Sequence, residues 1–205
     1  MAAKTARKAA SAYHHGDLRA ALIAAAIVQV ERAGPESVSL NALAKQLDVS
    51  QAAPYRHFRS RDELLAVVAT NAFDRLNEEM RIALQRAPAQ SKLKRAAHAY
   101  LRIGTENSGL YRLMYGSDLV DQAEIGSDLQ VAVEAGFQIW LTAFEPSLPL
   151  ATRERIALRM WVALHGVVTL TDQGFLPLKV RTARPEDLVE DIIRETKREI
   201  AAAMS

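Results

Sequence analysis

Cysteine is absent from the 205 residues, which excludes disulfides, thiolate nucleophiles and Cys-ligated zinc together. Long apolar runs are missing as well. The longest, Trp161 to Leu170, is interrupted by His165 and Gly166, and falls short of the ~20 residues that span a bilayer. The first residues carry no apolar secretory core, so a cytoplasmic protein with no membrane partner is expected. There is no Gly-rich phosphate loop, no Gly-x-Ser-x-Gly elbow and no His-Glu-x-x-His, and the Asp and Glu residues sit mostly on polar helix faces. An enzyme is therefore not expected, although an all-helical hydrolase is the form one would take. No cofactor is implied. His14-His15 with Asp17 comes nearest to a metal set. Adjacent histidines at a helix start point in different directions, and no further ligand is close in sequence, so no metal is expected.

What is present is a soluble globular composition, 49% hydrophobic and 24% charged. Residues 1–61 hold nine Lys and Arg against four Asp and Glu, a balance of +5, whereas the rest of the chain stands at −3. A basic first third on a mildly acidic body suits a head that binds a polyanion. The blander alternative is chance clustering on solvated faces.

Gly and Pro punctuate long stretches of helical period, and no segment alternates as a strand does. The fold class expected is all-α with about nine helices. Residues 1–15 are small, basic and without period, and read as a mobile arm. A helix from Asp17, its N-cap, to Ala33 carries Leu18, Ala21, Leu22, Ala25 and Val28 on one stripe. Gly34 and Pro35 stop it, Gly in a left-handed cap. Ser39 caps a short helix with Leu40, Leu43, Ala44 and Leu47. Asp48-Val49 makes a tight turn, and Ser50 caps a third helix from Gln51 to Phe58. Ser60-Arg61-Asp62-Glu63 is a capping box opening a long helix from Arg61 to about Gln85. Further helices are expected near 91–107, 109–115, 122–144, 152–172 and 186–203, with Pro177 and Pro185 bracketing the last loop. Residues 16–62 form a three-helix head and 63–205 a larger helical body.

The strongest signal is Ser39 to Phe58, two short helices joined by a tight turn. Leu43, Ala44, Leu47 and Val49 pack one onto the other. The second helix gathers Gln51, Tyr55, Arg56 and His57, which have no packing reason to cluster. Gln pairs bidentately with adenine and Arg with guanine, while Tyr and basic groups grip phosphates. The contact set for double-stranded DNA is then Ser39, Asn41, Ser50, Gln51, Ala52, Tyr55, Arg56, His57 and Arg61. Gln51 and Arg56 read bases and the others mainly hold phosphates. A generic helical hairpin with a polar face is the competing reading. Lys4, Arg7 and Lys8 either reach a minor groove or belong to a solvated tail.

Tyr13-His14-His15-Gly16-Asp17-Leu18 and the run Val49 to Arg61, with its Tyr55-Arg56-His57-Phe58 ending, resemble the DNA-binding domain of the tetracycline-repressor (TetR) family. So does Ser60-Arg61-Asp62-Glu63-Leu64-Leu65. Leu110-Tyr111-Arg112-Leu113-Met114-Tyr115-Gly116 and Trp161-x-x-x-His165-Gly166 resemble one subgroup, the latter matching the signature of the WHG-type C-terminal domain. Asp48 stands where the family usually has Gly, and Pro54 sits inside the third helix. With Ser50 as N-cap, that proline removes only the first intrahelical bond, so the helix is expected to survive. The resemblance covers most of residues 13–172. It implies a homodimer that binds a palindromic operator and holds a small-molecule inducer in its C-terminal helices.

Trp161 and His165, four apart, share a helix face. His165 is either a core histidine or a polar handle in a ligand cavity. Tyr100, Tyr111, Met114, Trp140, Phe144 and Trp161 are the candidates for an apolar wall, which points to an apolar or aromatic effector. Val162, Val167 and Leu170 with Leu188, Ile192 and Ile200 exceed what one stripe against a core requires. They are assigned to a four-helix dimer interface. A repressor released by ligand is the leading reading. A ligand-responsive activator and a low-specificity architectural DNA binder are the alternatives, and the absence of basic excess beyond residue 90 speaks against the last.

Overall fold

The computed structural model describes residues 18–176 and 184–204. The basic arm with Lys4, Arg7 and Lys8, the pair His14-His15, the cap Asp17 and the break at Pro177 lie outside the described residues. Among the described residues there are eight α-helices and no strand. They are α1 (Leu18–Ala33), α2 (Leu40–Gln46), α3 (Arg61–Gln85) and α4 (Lys92–Glu106), then α5 (Ser108–Tyr115), α6 (Asp128–Leu141), α7 (Leu150–Asp172) and α8 (Pro185–Met204).

Helix α1 buries Leu22, Ala25, Ala26 and Val30. It ends at Gly34, whose N–H bonds the Val30 carbonyl at 2.9 Å. Gly34 has φ 81° and ψ 164°. The positive φ is as expected, but this ψ belongs to the extended region open to glycine alone rather than to a left-handed cap. Pro35 then starts a short 3₁₀ turn, Pro35–Ser37.

The spine of the molecule is α3. Its start is capped as expected, with Ser60 Oγ accepting from the Glu63 N–H at 3.1 Å. The return bond is shifted by one residue, because the Glu63 carboxylate accepts from the Arg59 N–H at 2.6 Å. Twenty-five residues long, α3 buries apolar side chains from Leu64 to Leu84 and packs against α4, α5 and α6. Helix α8 closes the other side, against α7 and α4.

Two expected helices are shorter than the periodicity suggested. The helix read as 122–144 runs only from Asp128 to Leu141. Gly126 sits at φ 81°, which no helical residue adopts, and Ser127 Oγ then caps by accepting from the Gln130 N–H at 3.4 Å. At the other end the Thr142 hydroxyl donates to the Ile139 carbonyl at 2.7 Å and competes with the helical ladder. The third helix of the head is the larger departure. Residues 51–58 hold no α-helix, only the 3₁₀ turn Pro54–Arg56. Pro54 has no N–H to give the Ser50 carbonyl, so Ala53 takes it at 2.9 Å, and Arg56 and His57 likewise bond three residues back. The proline therefore costs more than one α-helical bond of this segment, in which only Phe58 bonds four residues back, to the Pro54 carbonyl at 3.0 Å.

No described helix is long and apolar enough to cross a membrane. Among the described residues no group of three or more His, Asp or Glu is placed to hold a metal ion.

Candidate DNA-reading head and ligand cavity

In the head, Leu43 and Ala44 are wholly buried and the Ala44 carbonyl accepts from the Val49 N–H at 3.0 Å. Asp48, the one described non-Gly residue with positive φ, makes the turn at φ 54°. Short polar Asp tolerates this region better than most side chains. The two elements cross through Ala44, and behind them Phe58 is buried with the Arg19 guanidinium 5.2 Å from its ring centroid. That arrangement leaves Asn41, Ser50, Gln51, Ala52, Tyr55, Arg56 and His57 exposed, as residues that meet a nucleic acid must be.

Ser39 and Arg61 are placed differently. Ser39 stands at the N-cap of α2 but its hydroxyl makes no capping bond, and it is half-buried. Arg61 turns inward. Its Nε donates to the Val38 carbonyl at 3.0 Å and Nη2 to the Pro35 carbonyl at 2.6 Å, while Nη1 meets Asp62 at 3.1 Å. Most of its donor fork is engaged, so Arg61 ties the α1–α2 connection to the start of α3. It is a latch within the protein before it is a phosphate contact.

The body contains a cavity of about 150 Å³. Phe73, Leu76, Asn77 and Met80 of α3 line it, with Tyr100 of α4 and Tyr115 of α5. Val133, Gly136, Phe137 and Trp140 of α6 and Leu158 and Trp161 of α7 complete the wall. Of the residues expected there, Tyr100, Trp140 and Trp161 take part. Tyr111 and Met114 line a neighbouring space of only about 20 Å³. Phe144 is packed into the core, because α6 ends before it and turns it away. His165 faces a separate hollow with Tyr111, Arg112 and Asp172.

Missed were the α3 residues, Tyr115, the α6 residues Val133, Gly136 and Phe137, and Leu158 of α7. The signal was available in one place, since Asn77 falls four after Phe73 and three before Met80, a polar group on an apolar stripe. Asn77 is 4% exposed. Its Nδ2 donates to the Ala132 carbonyl at 2.8 Å. That fixes the amide orientation and leaves Oδ1 on the cavity side, opposite Gly136.

Behind the cavity lies an aromatic cluster. The Tyr100 and Tyr111 hydroxyls are 2.8 Å apart, and the Tyr111 hydroxyl is 2.6 Å from His165 Nδ1. His165 stacks on both Tyr111 and Trp161, with centroids 5.5 and 5.7 Å away, and meets Tyr115 edge-on at 5.0 Å. Burial holds the His165 imidazole below its ordinary pKa and pushes the three tyrosines above theirs. The cluster is thus neutral, with Tyr111 and His165 Nδ1 sharing one hydrogen bond and Nε2 turned to the Thr169 hydroxyl at 3.5 Å.

Helix α5 joins cavity and head. Tyr115 at its end lines the cavity. At its start Gly109 lies so close to α1 that an added Cβ would stand 2.2 Å from the Val30 carbonyl oxygen.

A helix-turn-helix with an exposed polar reading segment, set on a helical body by a capped and latched helix, defines a DNA-binding transcriptional regulator. Residues 22–68 match the model described as bacterial regulatory proteins, tetR family, and residues 93–196 match the tetracyclin repressor-like C-terminal domain. The chain belongs to the TetR family, and the WHG-type signature at Trp161, His165 and Gly166 is consistent with that C-terminal match.

The chain is 31% identical over 115 residues to the HTH-type transcriptional activator FasR of Mycolicibacterium smegmatis, covering 56% of this chain and 52% of FasR. It thus spans about half the length of that relative. It is 26% identical over 177 residues to the HTH-type transcriptional regulator YobS of Bacillus subtilis, covering 83% and 84% of the two chains. A solved structure of a protein of unknown function from Rhodococcus sp. RHA1 superposes with a TM-score of 0.75 at 28% identity, covering 94% and 98%. A tetR-family regulator from Streptomyces coelicolor shares the fold at a TM-score of 0.67 and 18% identity, covering 90% and 81%. The families and curated relatives are regulators and not enzymes.

Proposed function

We propose that this regulator is a homodimeric repressor that leaves a palindromic operator when a small apolar or aromatic molecule fills the body cavity. Residues 16–62 serve as the reading head, with 1–15 as a basic arm, and 63–205 as the sensing and dimerising body. One observation carries the reading: α3 begins at the Ser60 cap and the Arg61 latch and, without a break, lines the cavity with Phe73, Leu76, Asn77 and Met80. A ligand that shifts this wall moves the head, and two heads must meet half-sites ~34–36 Å apart. Each tenfold loss of operator affinity needs the ligand to prefer the released state by about 1.4 kcal/mol.

In the head, Gln51 and Arg56 read bases, while Asn41, Ser50, Ala52, Tyr55 and His57 supply backbone contact and packing against the groove. Dimerisation uses the exposed stripe of α7, where Leu158 and Val162 are 50% and 55% exposed and Leu170 is 37% exposed. Gly166 falls on the same stripe, and nothing lies within 4 Å of where its Cβ would be. Glycine inside a helix costs about 1 kcal/mol relative to alanine, and no contact within one chain calls for it. A second copy crossing closely at that point does. Leu188, Ile192 and Ile200 of α8 are half-buried beside it, whereas Val167 is a core residue and takes no part.

Selection of genomic fragments on the protein, followed by a screen of small molecules for release, tests the whole reading. One enriched palindrome released by an apolar compound supports it, and fragments without a common sequence overturn it. The name of FasR favours a second reading, an activator on the same fold. A promoter reporter separates the two, since deletion of the regulator raises expression for a repressor and lowers it for an activator.

A further inference from the structure

The body cavity is walled mainly by aromatic and aliphatic side chains, among them Tyr100, Tyr115, Trp140 and Trp161. The Tyr100 hydroxyl is held by Tyr111, and Tyr111 in turn by His165 Nδ1.

Opposite them stands Asn77, 4% exposed, with its amide N–H on the Ala132 carbonyl. Among the described residues its Oδ1 accepts no hydrogen bond. Asn77 lines the cavity, so a donor entering it is a partner for that oxygen. Room for that partner exists because residue 136 is glycine: a Cβ there would lie 2.9 Å from Asn77 Oδ1 and occupy the approach. No charged side chain lines the cavity, so an ion entering it would be desolvated without compensation. Apolar cavities of ~150 Å³ hold a single small aromatic molecule.

We propose that the effector is a neutral one- or two-ring aromatic bearing a ring N–H or O–H, of the indole or phenol class, whose proton is accepted by Asn77 Oδ1. The proposal rests on the reading of this cavity as the effector site. Molecules of the same shape that carry only an acceptor face Oδ1 with a lone pair and gain no hydrogen bond there. Asn77 is thus the specificity-determining residue, and Gly136 keeps its oxygen accessible.

Titration calorimetry with indole and with benzofuran, which replaces the N–H by an oxygen in the same outline, tests this on the full-length protein. Indole is expected to bind the wild type at least about tenfold more tightly than benzofuran. Asn77→Leu should erase or reverse that preference. Gly136→Ala, which crowds Oδ1 without touching the aromatic wall, should weaken indole more than benzofuran. Retained binding of each variant to the selected operator fragment shows that it is folded. Equal affinities of the two probes for the wild type overturn the proposal, as does a preference that survives Asn77→Leu. Failure of both probes to bind, with release by an aliphatic compound instead, also overturns it while leaving the repressor reading intact. Failure to select any operator overturns the repressor reading, and the calorimetric comparison then still decides the role of Asn77.

Discussion

Arg61 shows how far a side chain's role depends on what surrounds it. In the sequence it is one more cation beside Arg56 and Arg59, and the same charge suits a phosphate. In the fold its guanidinium donates to the carbonyls of Pro35 and Val38. Bonds from a charged donor to carbonyls contribute about 1–2 kcal/mol once partial exposure is discounted. Arg61→Ala should therefore lower the melting temperature and weaken all DNA sequences alike, whereas Gln51→Ala should relax specificity at one base pair by ~1–3 kcal/mol with the melting temperature unchanged. Melting curves and binding to a set of single-base operator variants check both. His165 gives a prediction in pH. Burial among Tyr111, Tyr115 and Trp161 depresses its pKa in the fold, while in the unfolded chain it titrates near ~6.5. Above that pH both states hold the ring neutral. As pH falls through it, the unfolded chain takes up the proton first, and stability is lost. Wild type should therefore lose melting temperature between about pH 7 and pH 5 more steeply than His165→Gln. Parallel slopes would mean that the ring is protonated within the fold.

At the scale of the element, the close approach of α5 to α1 is the most exacting contact. A Cβ at Gly109 would stand 2.2 Å from the Val30 oxygen and 2.9 Å from Glu31 Cα, backbone atoms that cannot rotate away. Gly109→Ala should cost about 1–3 kcal/mol, as overpacking does, and should also weaken operator binding because α5 is displaced from the head. A thermal melt with an operator titration reads both effects, and unchanged values in both would show that α5 does not hold the head. None of this was visible in the sequence, where Gly109 is simply the end of a Ser-Gly break between helices. What was legible is what local chemistry decides: the Ser60 capping box, the positive φ at Asp48, the breaks at Gly34 and Pro35, and the apolar stripes that make α1, α7 and α8. What was not legible depends on competition between neighbours. Pro54 turns most of its segment to 3₁₀ bonding because Ala53 can take over the Ser50 carbonyl. Gly126 truncates α6, and once α6 ends early Phe144 turns into the core and not the cavity. Tyr100, Trp140 and Trp161 were found as aromatics on interior faces. Asn77 was passed over because the long helix was read for its cap and its length alone, although the residue's place on an apolar stripe marks it.

For the whole molecule, dimerisation and charge combine in one measurement. Val162→Glu places a carboxylate on the exposed α7 stripe beside Gly166, and should give a monomer in sedimentation at micromolar concentration with a sharp loss of operator affinity. A dimer that persists would place the interface elsewhere. The intact dimer brings two basic heads to DNA. With Arg61 engaged inside the protein and Arg19 and Arg32 exposed on α1, the exposed cations on and next to the reading segment are Lys45, Arg56 and Arg59. If each neutralises one phosphate, the dimer covers about six, and log affinity should fall against log salt with a slope near −5. Lys4, Arg7 and Lys8 lie in the arm, outside the described residues. If the arm binds DNA, the intact slope should steepen to about −10 and removing residues 1–12 should return it to about −5; if the arm stays in solvent, removal leaves it unchanged. The fold should survive either way, since the buried stripe of α1 begins at Leu22. The Val162→Glu monomer should show half the slope of the dimer, because each head then counts alone. A slope near zero for the intact protein on its best DNA would mean that the basic head does not meet phosphates, and operator binding by this segment would be ruled out.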